Sequence, residues 1–314
     1  MAEIRINNEI LATVKDKVVV LTGGGNGIGA ATVTNLFHAG AHVYYCDWDE
    51  KHGTELDRSL RSGAQSGSGS STFMKANVTD YEAQLALFDA AFDKHGRIDM
   101  AIYCAGITDP RGWLDVKELD LKSVRKVPQQ LINVLDVNLI GCLYFSRIAL
   151  AYLKEDAAIT PESSKSLTFI SSVAGFKETP GVIAYSASKH GIIGLMRSLR
   201  MTSVSEFNVR VNAICPWATD TQIFKGLSDS WRNNNLPFNT PADVARLIQH
   251  VAADPELHGK AVFVAGGKGF DIEEGINRLE PEWLGEQQAR ELNRGQLTLG
   301  KVCHDCPVFS WFNY

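Results

Sequence analysis

A serine, a tyrosine and a lysine carry the spacing in this sequence that can do chemistry. Ser171-Ser172 ends an apolar run, and Tyr185-Ser186-Ala187-Ser188-Lys189 begins thirteen residues after Ser172. On a helix Tyr185 and Lys189 are i and i+4, so both side chains lie on one face. An ammonium beside a phenol favours the phenolate and lowers the tyrosine pKa from its ordinary ~10. That makes a general base able to work near neutral pH, which an isolated tyrosine is not. Ser172 can donate a hydrogen bond to an alkoxide or carbonyl oxygen. It stands where a strand ends, the edge at which open α/β sheets bind ligands. Alone, Tyr-x-x-x-Lys is commonly a solvated helix pair, so its surroundings decide.

A second feature is the run Thr22-Gly23-Gly24-Gly25-Asn26-Gly27-Ile28-Gly29, which follows an apolar strand and opens an Ala-rich helix. Glycines at this spacing permit a tight turn, let the backbone approach a pyrophosphate, and let helix and strand pack closely. Free N–H groups and the positive end of the helix dipole then hold the anion. The next strand ends in Cys46-Asp47-Trp48, with Asp47 24 residues after Gly23. An acidic side chain there can accept both hydrogen bonds of an adenosine ribose, and it repels a 2′-phosphate. Neither Gly24–Asn26 nor Trp48 offers a basic replacement, so NAD is favoured over NADP. The plainer reading of Asp47 is the start of a turn.

These residues need a scaffold that brings strand ends together. Short runs Lys17–Thr22, His42–Cys46, Thr72–Ala76, Met100–Cys104, Ser166–Ser171, Arg210–Ile214 and Lys260–Val264 read as strands, several of them continuously apolar. Helical patterns alternate with them at Gly29–Ala39, Lys51–Ser62, Tyr81–His95, Gln129–Leu153, Tyr185–Phe207 and Pro241–Ala253. That alternation predicts an α/β fold, a Rossmann-type doubly wound parallel sheet with helices on both faces. Two long irregular stretches, Ile107–Pro128 with Trp113 and Thr219–Thr240 with Phe224, Trp231 and Phe238, read as lids or mobile segments.

Composition narrows the classes. The 314 residues hold 31 basic and 36 acidic side chains, a net charge of −5, with 45% hydrophobic and 21% charged residues. This is the balance of a soluble globular protein and argues against nucleic acid or an anionic membrane as partner. No apolar run is read as approaching the ~20 residues of a membrane span. Cys46, Cys104, Cys142, Cys215, Cys303 and Cys306 read as reduced thiols of a cytoplasmic protein. Cys303-His304-Asp305-Cys306 has no second ligand pair, so no metal site is expected.

With these motifs in order, the chain resembles the short-chain dehydrogenase/reductase family over about residues 15–270. The resemblance rests on Thr22–Gly29, Cys104-Ala105-Gly106, Val137-Asn138-Leu139, Ser172, Tyr185 with Lys189, and Asn212-Ala213-Ile214-Cys215-Pro216. Within the family the likeness is nearest to 15-hydroxyprostaglandin dehydrogenase-like members. It implies a catalytic tetrad of Asn138, Ser172, Tyr185 and Lys189, with Asn138 holding a water in a proton relay to Lys189. It implies cofactor contacts from Gly23, Asn26, Gly27, Ile28 and Gly29, and from Asp47, Trp48, Asn77 and Val78. Cys104, Ala105 and Gly106 would follow, with Tyr185, Lys189, Pro216, Thr219 and Thr221. The sequence also departs from the family. Tyr103 and Cys104 replace two asparagines, one of them an amide that braces the sheet. Asn77 replaces an aspartate, and Trp217 replaces a glycine after Pro216. Trp217 is read either as a wall of the substrate pocket or as plain packing.

The expected activity is NAD-dependent interconversion of a secondary alcohol and a ketone. Trp113, Phe176, Trp217, Ile223, Phe224 and Trp231 would line an apolar pocket for a bulky lipophilic substrate: a polyketide, terpenoid, steroid or oxidised fatty acid. Alternatives are a ketone reductase, an isomerase acting through transient oxidation, and a noncatalytic dinucleotide-binding scaffold. By resemblance the chain is expected to form a homodimer or homotetramer through Gln129–Leu153 and Tyr185–Phe207. The apolar stretch Gly191–Met196 is read as too apolar for a solvated face. Residues 1–14 are expected to be a leader, 15–269 one domain, and 270–314 an extension whose aromatic end packs on the domain or on a partner subunit.

Overall fold

The computed structural model describes residues 2–110, 117, 119–155 and 165–302. Within them the strands are β1 (Glu3–Ile4), β2 (Val18–Thr22), β3 (His42–Asp47), β4 (Ser70–Lys75), β5 (Met100–Tyr103), β6 (Lys165–Ile170), β7 (Val209–Pro216), β8 (Ala261–Ala265) and β9 (Lys268–Asp271). Every residue of β2, β5, β6 and β7 is buried, as a strand covered on both faces requires. The helices are α1 (Asn8–Ala12), α2 (Gly27–His38), α3 (Glu50–Ser62), α4 (Tyr81–His95), α5 (Gln129–Leu135), α6 (Gly141–Lys154), α7 (Ile183–Leu199) and α8 (Ser203–Phe207), then α9 (Ser228–Asn233), α10 (Pro241–Ala253), α11 (Ile272–Leu284) and α12 (Glu286–Val302).

The strands form one sheet in the order β1-β9-β8-β7-β6-β5-β2-β3-β4. From β4 to β8 the pairing is parallel, and β9 and β1 close one edge antiparallel. One core cluster joins Val18 and Val20 to Phe88 of α4, Phe145 of α6 and Ile192 of α7. The other joins Val19 and Leu21 to Leu36 of α2 and Ile248 of α10. Alternate residues of β2 therefore face opposite helical layers, the α/β sandwich that the sequence predicts. The strand order reverses between β2 and β5, which leaves a crevice at their carboxyl ends.

Several elements differ from the sequence reading. Part of the segment expected as a leader pairs with the sheet. Glu3 pairs with Phe270, Ile4 with Gly269, and the Ala2 amide donates to Glu274 at 3.0 Å. The strand covers an edge of β9 that would otherwise offer unpaired backbone groups. The helix expected over Gln129–Leu153 contains a π-helical turn, Asp136–Ile140, between α5 and α6. Taken as one run, Gln129–Lys154 is 26 residues long and contains an 18-residue window of mean hydropathy 1.5, long and apolar enough to cross a membrane. Half of that window is buried inside the molecule, as in the core-facing side of an amphipathic helix. The apolar stretch Gly191–Met196 has the same cause, since Ile192, Ile193 and Met196 are buried in the chain's own core. The tail beyond residue 270 includes α11 and α12, and Glu273 clamps α11 to α7 through Arg197 and Arg200. Trp113, Cys303, Cys306 and the aromatic end 307–314 lie outside the described residues.

Candidate active site

The turn after β2 is built so that side chains are excluded. Gly23 has φ +70°, and a Cβ there would stand 2.6 Å from the backbone of Ala105. A Cβ on Gly29 would come within 1.9 Å of the Gly23 carbonyl oxygen, so the turn and the start of α2 pack backbone on backbone. Asp47, at the end of β3, is aimed at this turn. One carboxylate oxygen accepts from the Gly25 amide at 2.8 Å and the other from the Asp49 amide at 3.0 Å. Trp48 beside it is exposed, and Lys75 on the same rim is paired with Glu50 at 2.9 Å.

At the other end of the crevice Ser172 follows β6. Its hydroxyl accepts from the Ala174 amide at 3.2 Å, and Ser171 ties the strand end to α7 by donating to the Lys189 carbonyl at 2.9 Å. Tyr185 and Lys189 stand one turn apart on α7, with the ammonium 5.4 Å from the phenol ring centre. Lys189 is buried and donates to the Ile170 carbonyl at 2.8 Å. Its pKa falls to about 8, chiefly through burial. The phenol of Tyr185 is raised above its ordinary value by burial, a rise opposed by the hydrogen bond from Ser172. The sequence reading expects the lysine ammonium to lower the tyrosine pKa, and burial acts in the opposite direction. Both groups are desolvated, and burial penalises the charged form of each.

Asn138 sits in the π-helical turn, fully buried. Its Oδ1 accepts from the Ile107 amide at 2.8 Å, and its Nδ2 donates to the Ile107 carbonyl at 2.9 Å and to Ser188 Oγ at 3.0 Å. Both amide hydrogens are thus spent on positioning, and Oδ1 keeps one lone pair. Gly106 leaves the room beside it, because a Cβ there would stand 3.3 Å from Lys189 Nζ and 3.4 Å from Asn138 Oδ1. Tyr103, which replaces a family asparagine, donates its buried hydroxyl to the Val137 carbonyl in the same π turn.

Ser172, Tyr185, Lys189, Asp47 and the glycine turn share one cleft of about 1530 Å³, more than the ~300–1,000 Å³ of a site for a single small ligand, while Asn138 lies behind its lining. All the residues expected to touch the cofactor line it, from Gly23 through Asp47, Asn77, Cys104 and Gly106 to Pro216, Thr219 and Thr221. Asn77 also accepts from the Thr79 amide at 3.1 Å. Of the expected pocket residues, Phe176, Trp217, Ile223, Phe224 and Trp231 line the cleft. Trp217 packs edge-on against Trp231, with ring centres 5.1 Å apart, and Trp231 packs edge-on against Phe224 at 5.4 Å.

Sequence reasoning passed over three positions. Phe263 lines the cleft from β8 and touches both Phe176 and Trp217, but in the run Ala-Val-Phe-Val-Ala it reads as ordinary core. Asn239 pins the loop after Trp217. It is fully buried, and its Nδ2 donates to Thr219 Oγ1 at 3.3 Å and to the Val264 carbonyl at 3.1 Å. Asp109, in the stretch read as a lid or mobile segment, accepts from the amides of Ala184 and Tyr185. No local spacing marks these contacts.

The glycine turn, the acidic β3 end and the Ser-Tyr-Lys cluster on one crevice are matched by relationship. The short chain dehydrogenase family matches residues 17–231. The "Short-chain dehydrogenase/reductase ascJ" of Acremonium egyptiacum is 33% identical over 88% of this chain and 87% of its own length. The "5'-hydroxyaverantin dehydrogenase" of Dothistroma septosporum is 29% identical over 89% of this chain and 93% of its own. Among solved structures, gox2181 superposes with a TM-score of 0.69 at 26% identity, covering 83% of this chain and 98% of that one. The chain belongs to the short-chain dehydrogenase family, oxidoreductases acting on CH–OH groups.

Proposed function

We propose that the protein oxidises a secondary alcohol on a bulky lipophilic molecule to the ketone, with NAD as the acceptor. The observation that carries this reading is the shared cleft, with Tyr185 and Ser172 at one end and the Asp47 carboxylate at the other. Gly23–Gly29 would hold the pyrophosphate and Asp47 the adenosine ribose. Asp47 also supports NAD over NADP, because a carboxylate repels a 2′-phosphate and Lys75 is already paired. When bound, the dinucleotide supplies the hydride acceptor and a positive charge that favours the phenolate. Ser172 donates a hydrogen bond to the substrate oxygen and orients it toward Tyr185. The Tyr185 phenolate takes the hydroxyl proton, and the buried Lys189 stabilises that phenolate. Asn138 holds Ile107 and Ser188 in place around them.

The linked rings of Phe176, Phe263, Trp217, Trp231 and Phe224 support a polyketide, terpenoid, steroid or oxidised fatty acid as substrate. A relative whose name gives 5'-hydroxyaverantin as its substrate supports the same breadth. The free thiols Cys46, Cys104, Cys142 and Cys215 support a reducing, cytoplasmic setting. A homodimer is the smallest assembly proposed, with the residues after 270 packing on the domain or on the partner. Incubation with NAD⁺ and representatives of the four alcohol classes tests the reading. Net reduced cofactor together with ketone is expected. An isomer formed without net reduction would replace oxidation by isomerisation.

A further inference from the structure

Helix α7 starts without a cap of its own. Its N-cap residue is Val182, which has no side-chain oxygen, and the first amides of any α-helix lack intrahelical acceptors. The acceptors come from a residue 75 positions away in sequence: one carboxylate oxygen of Asp109 accepts from the Ala184 amide at 2.9 Å. The other accepts from the Tyr185 amide at 2.7 Å. Asp109 is buried, and both bonds are of the stronger, charge-assisted kind. The opposite side of the same residue is also held. The Tyr185 carbonyl accepts from Ser188 Oγ at 2.7 Å, and Ser188 Oγ accepts from Asn138 Nδ2 at 3.0 Å. Asn138 in turn holds both backbone groups of Ile107, two residues before Asp109. The hydrogen bonds therefore close a ring from the strap Ile107–Asp109 through Asn138 and Ser188 to Tyr185 and back to Asp109. Both backbone polar groups of Tyr185 lie in that ring.

We propose that Asp109 is a positioning residue for Tyr185, fixing the start of α7 so that the phenol stands within reach of the Ser172 hydroxyl. The proposal rests on Tyr185 being the base. Its test reads ionisation and not turnover, so it can fail independently of that reading. The groups facing the phenol are the Ser172 hydroxyl, the Lys189 ammonium and the Cys215 thiol, with the Asp109 carboxylate behind its amide. Two accounts of Asp109 then differ in sign. If only its negative charge matters, removing it favours the phenolate and lowers the Tyr185 midpoint. If it positions the helix, removing it loosens the Ser172 hydrogen bond and raises the midpoint.

The measurement is a pH titration of the tyrosinate absorbance band of the full chain. It is taken as the difference between each protein and its Tyr185→Phe partner, which cancels the other tyrosines. For Asp109→Ala the phenolate fraction at a fixed pH should fall about threefold or more, a rise of roughly half a pH unit. Asp109→Asn keeps one acceptor oxygen and should give a smaller rise. An unchanged or lowered midpoint in Asp109→Ala overturns the proposal. A lowered thermal midpoint with no change in titration would mark a role in stability alone. Should Asp109→Ala not fold, as judged by circular dichroism, the Asn variant decides: a rise supports positioning, and no change or a fall overturns it.

Discussion

Replacing Asp47 by asparagine keeps the shape of the side chain and one acceptor oxygen while removing its charge. Asp47 already accepts from the Gly25 and Asp49 amides at 2.8 and 3.0 Å, so its direction is set before any ligand arrives. In the proposed complex it accepts from the ribose hydroxyls of NAD. A hydrogen bond to a charged group contributes ~1.5–3 kcal/mol, so weakening one raises the Kd for NAD⁺ by about tenfold or more. For NADP⁺ the effect has the opposite sign. A phosphate ~4 Å from a carboxylate is repelled by about 1 kcal/mol in water and about 4 kcal/mol at a partly buried site. Asp47 is 9% exposed, which places it nearer the second figure. Together the two effects, about 1.4 kcal/mol and about 3–4 kcal/mol, shift the ratio of the two dissociation constants roughly 10³–10⁴-fold toward NADP⁺. Calorimetric titration of wild type and Asp47→Asn with both dinucleotides reads that ratio directly. A ratio that moves less than about threefold, under 0.7 kcal/mol, would refute the assignment of Asp47 to the ribose.

Glu273→Ala should lower stability without weakening dinucleotide binding. The buried carboxylate joins Arg197 at 2.8 Å and Arg200 at 2.6 Å, but both arginines are partly exposed, so the loss is about 2–3 kcal/mol and not the ~3–5 of a fully buried pair. Thermal denaturation should show a midpoint lower by about 3–6 °C, and an unchanged midpoint would show that α11 is not anchored by this clamp. Lys189 carries a pH signature. Its folded pKa of about 8 lies below its ordinary value, so the unfolded chain binds more protons between about pH 8 and 10.5. Wild type should therefore gain stability relative to Lys189→Met as pH rises through that window, by up to ~1.4 kcal/mol per unit, and parallel curves would contradict the burial of a strained lysine. Trp217→Ala should raise KM for bulky alcohols about tenfold or more, roughly 1.4 kcal/mol, and leave KM for NAD⁺ unchanged. A fall in thermal stability with KM unaltered would assign the ring to packing.

The central sheet and most of the cleft were legible because their residues act locally. Short, β-branched apolar runs such as Val18–Leu21 bounded by a glycine turn read as strands covered on both faces, and the glycine turn and Tyr185-x-x-x-Lys189 have fixed local geometry. Features that depend on distant partners were not legible. Glu3–Ile4 is too short to carry a strand pattern and exists because β9 offers it an edge. The π turn at Asp136–Ile140 adds one residue to a helical period and leaves apolar spacing almost intact, so nothing in the sequence separates α5 from α6. Gly191–Met196 shows the limit of composition: its apolar residues face this chain's own sheet, and hydrophobicity alone does not distinguish that from a subunit interface. Asp109 caps a helix that starts 74 residues later, a contact visible only once the strap after β5 crosses the amino end of α7.

The most direct test of the account is the rate of reduced-cofactor formation by wild type and Tyr185→Phe, each supplied with NAD⁺ and a bulky lipophilic secondary alcohol that wild type oxidises. The phenylalanine keeps the ring and loses only the oxygen that takes the proton. The account predicts that kcat falls by about 10²–10⁴-fold, the usual contribution of a positioned acid or base, while NAD⁺ binds with unchanged affinity. A variant that turns over at the wild-type rate would contradict it.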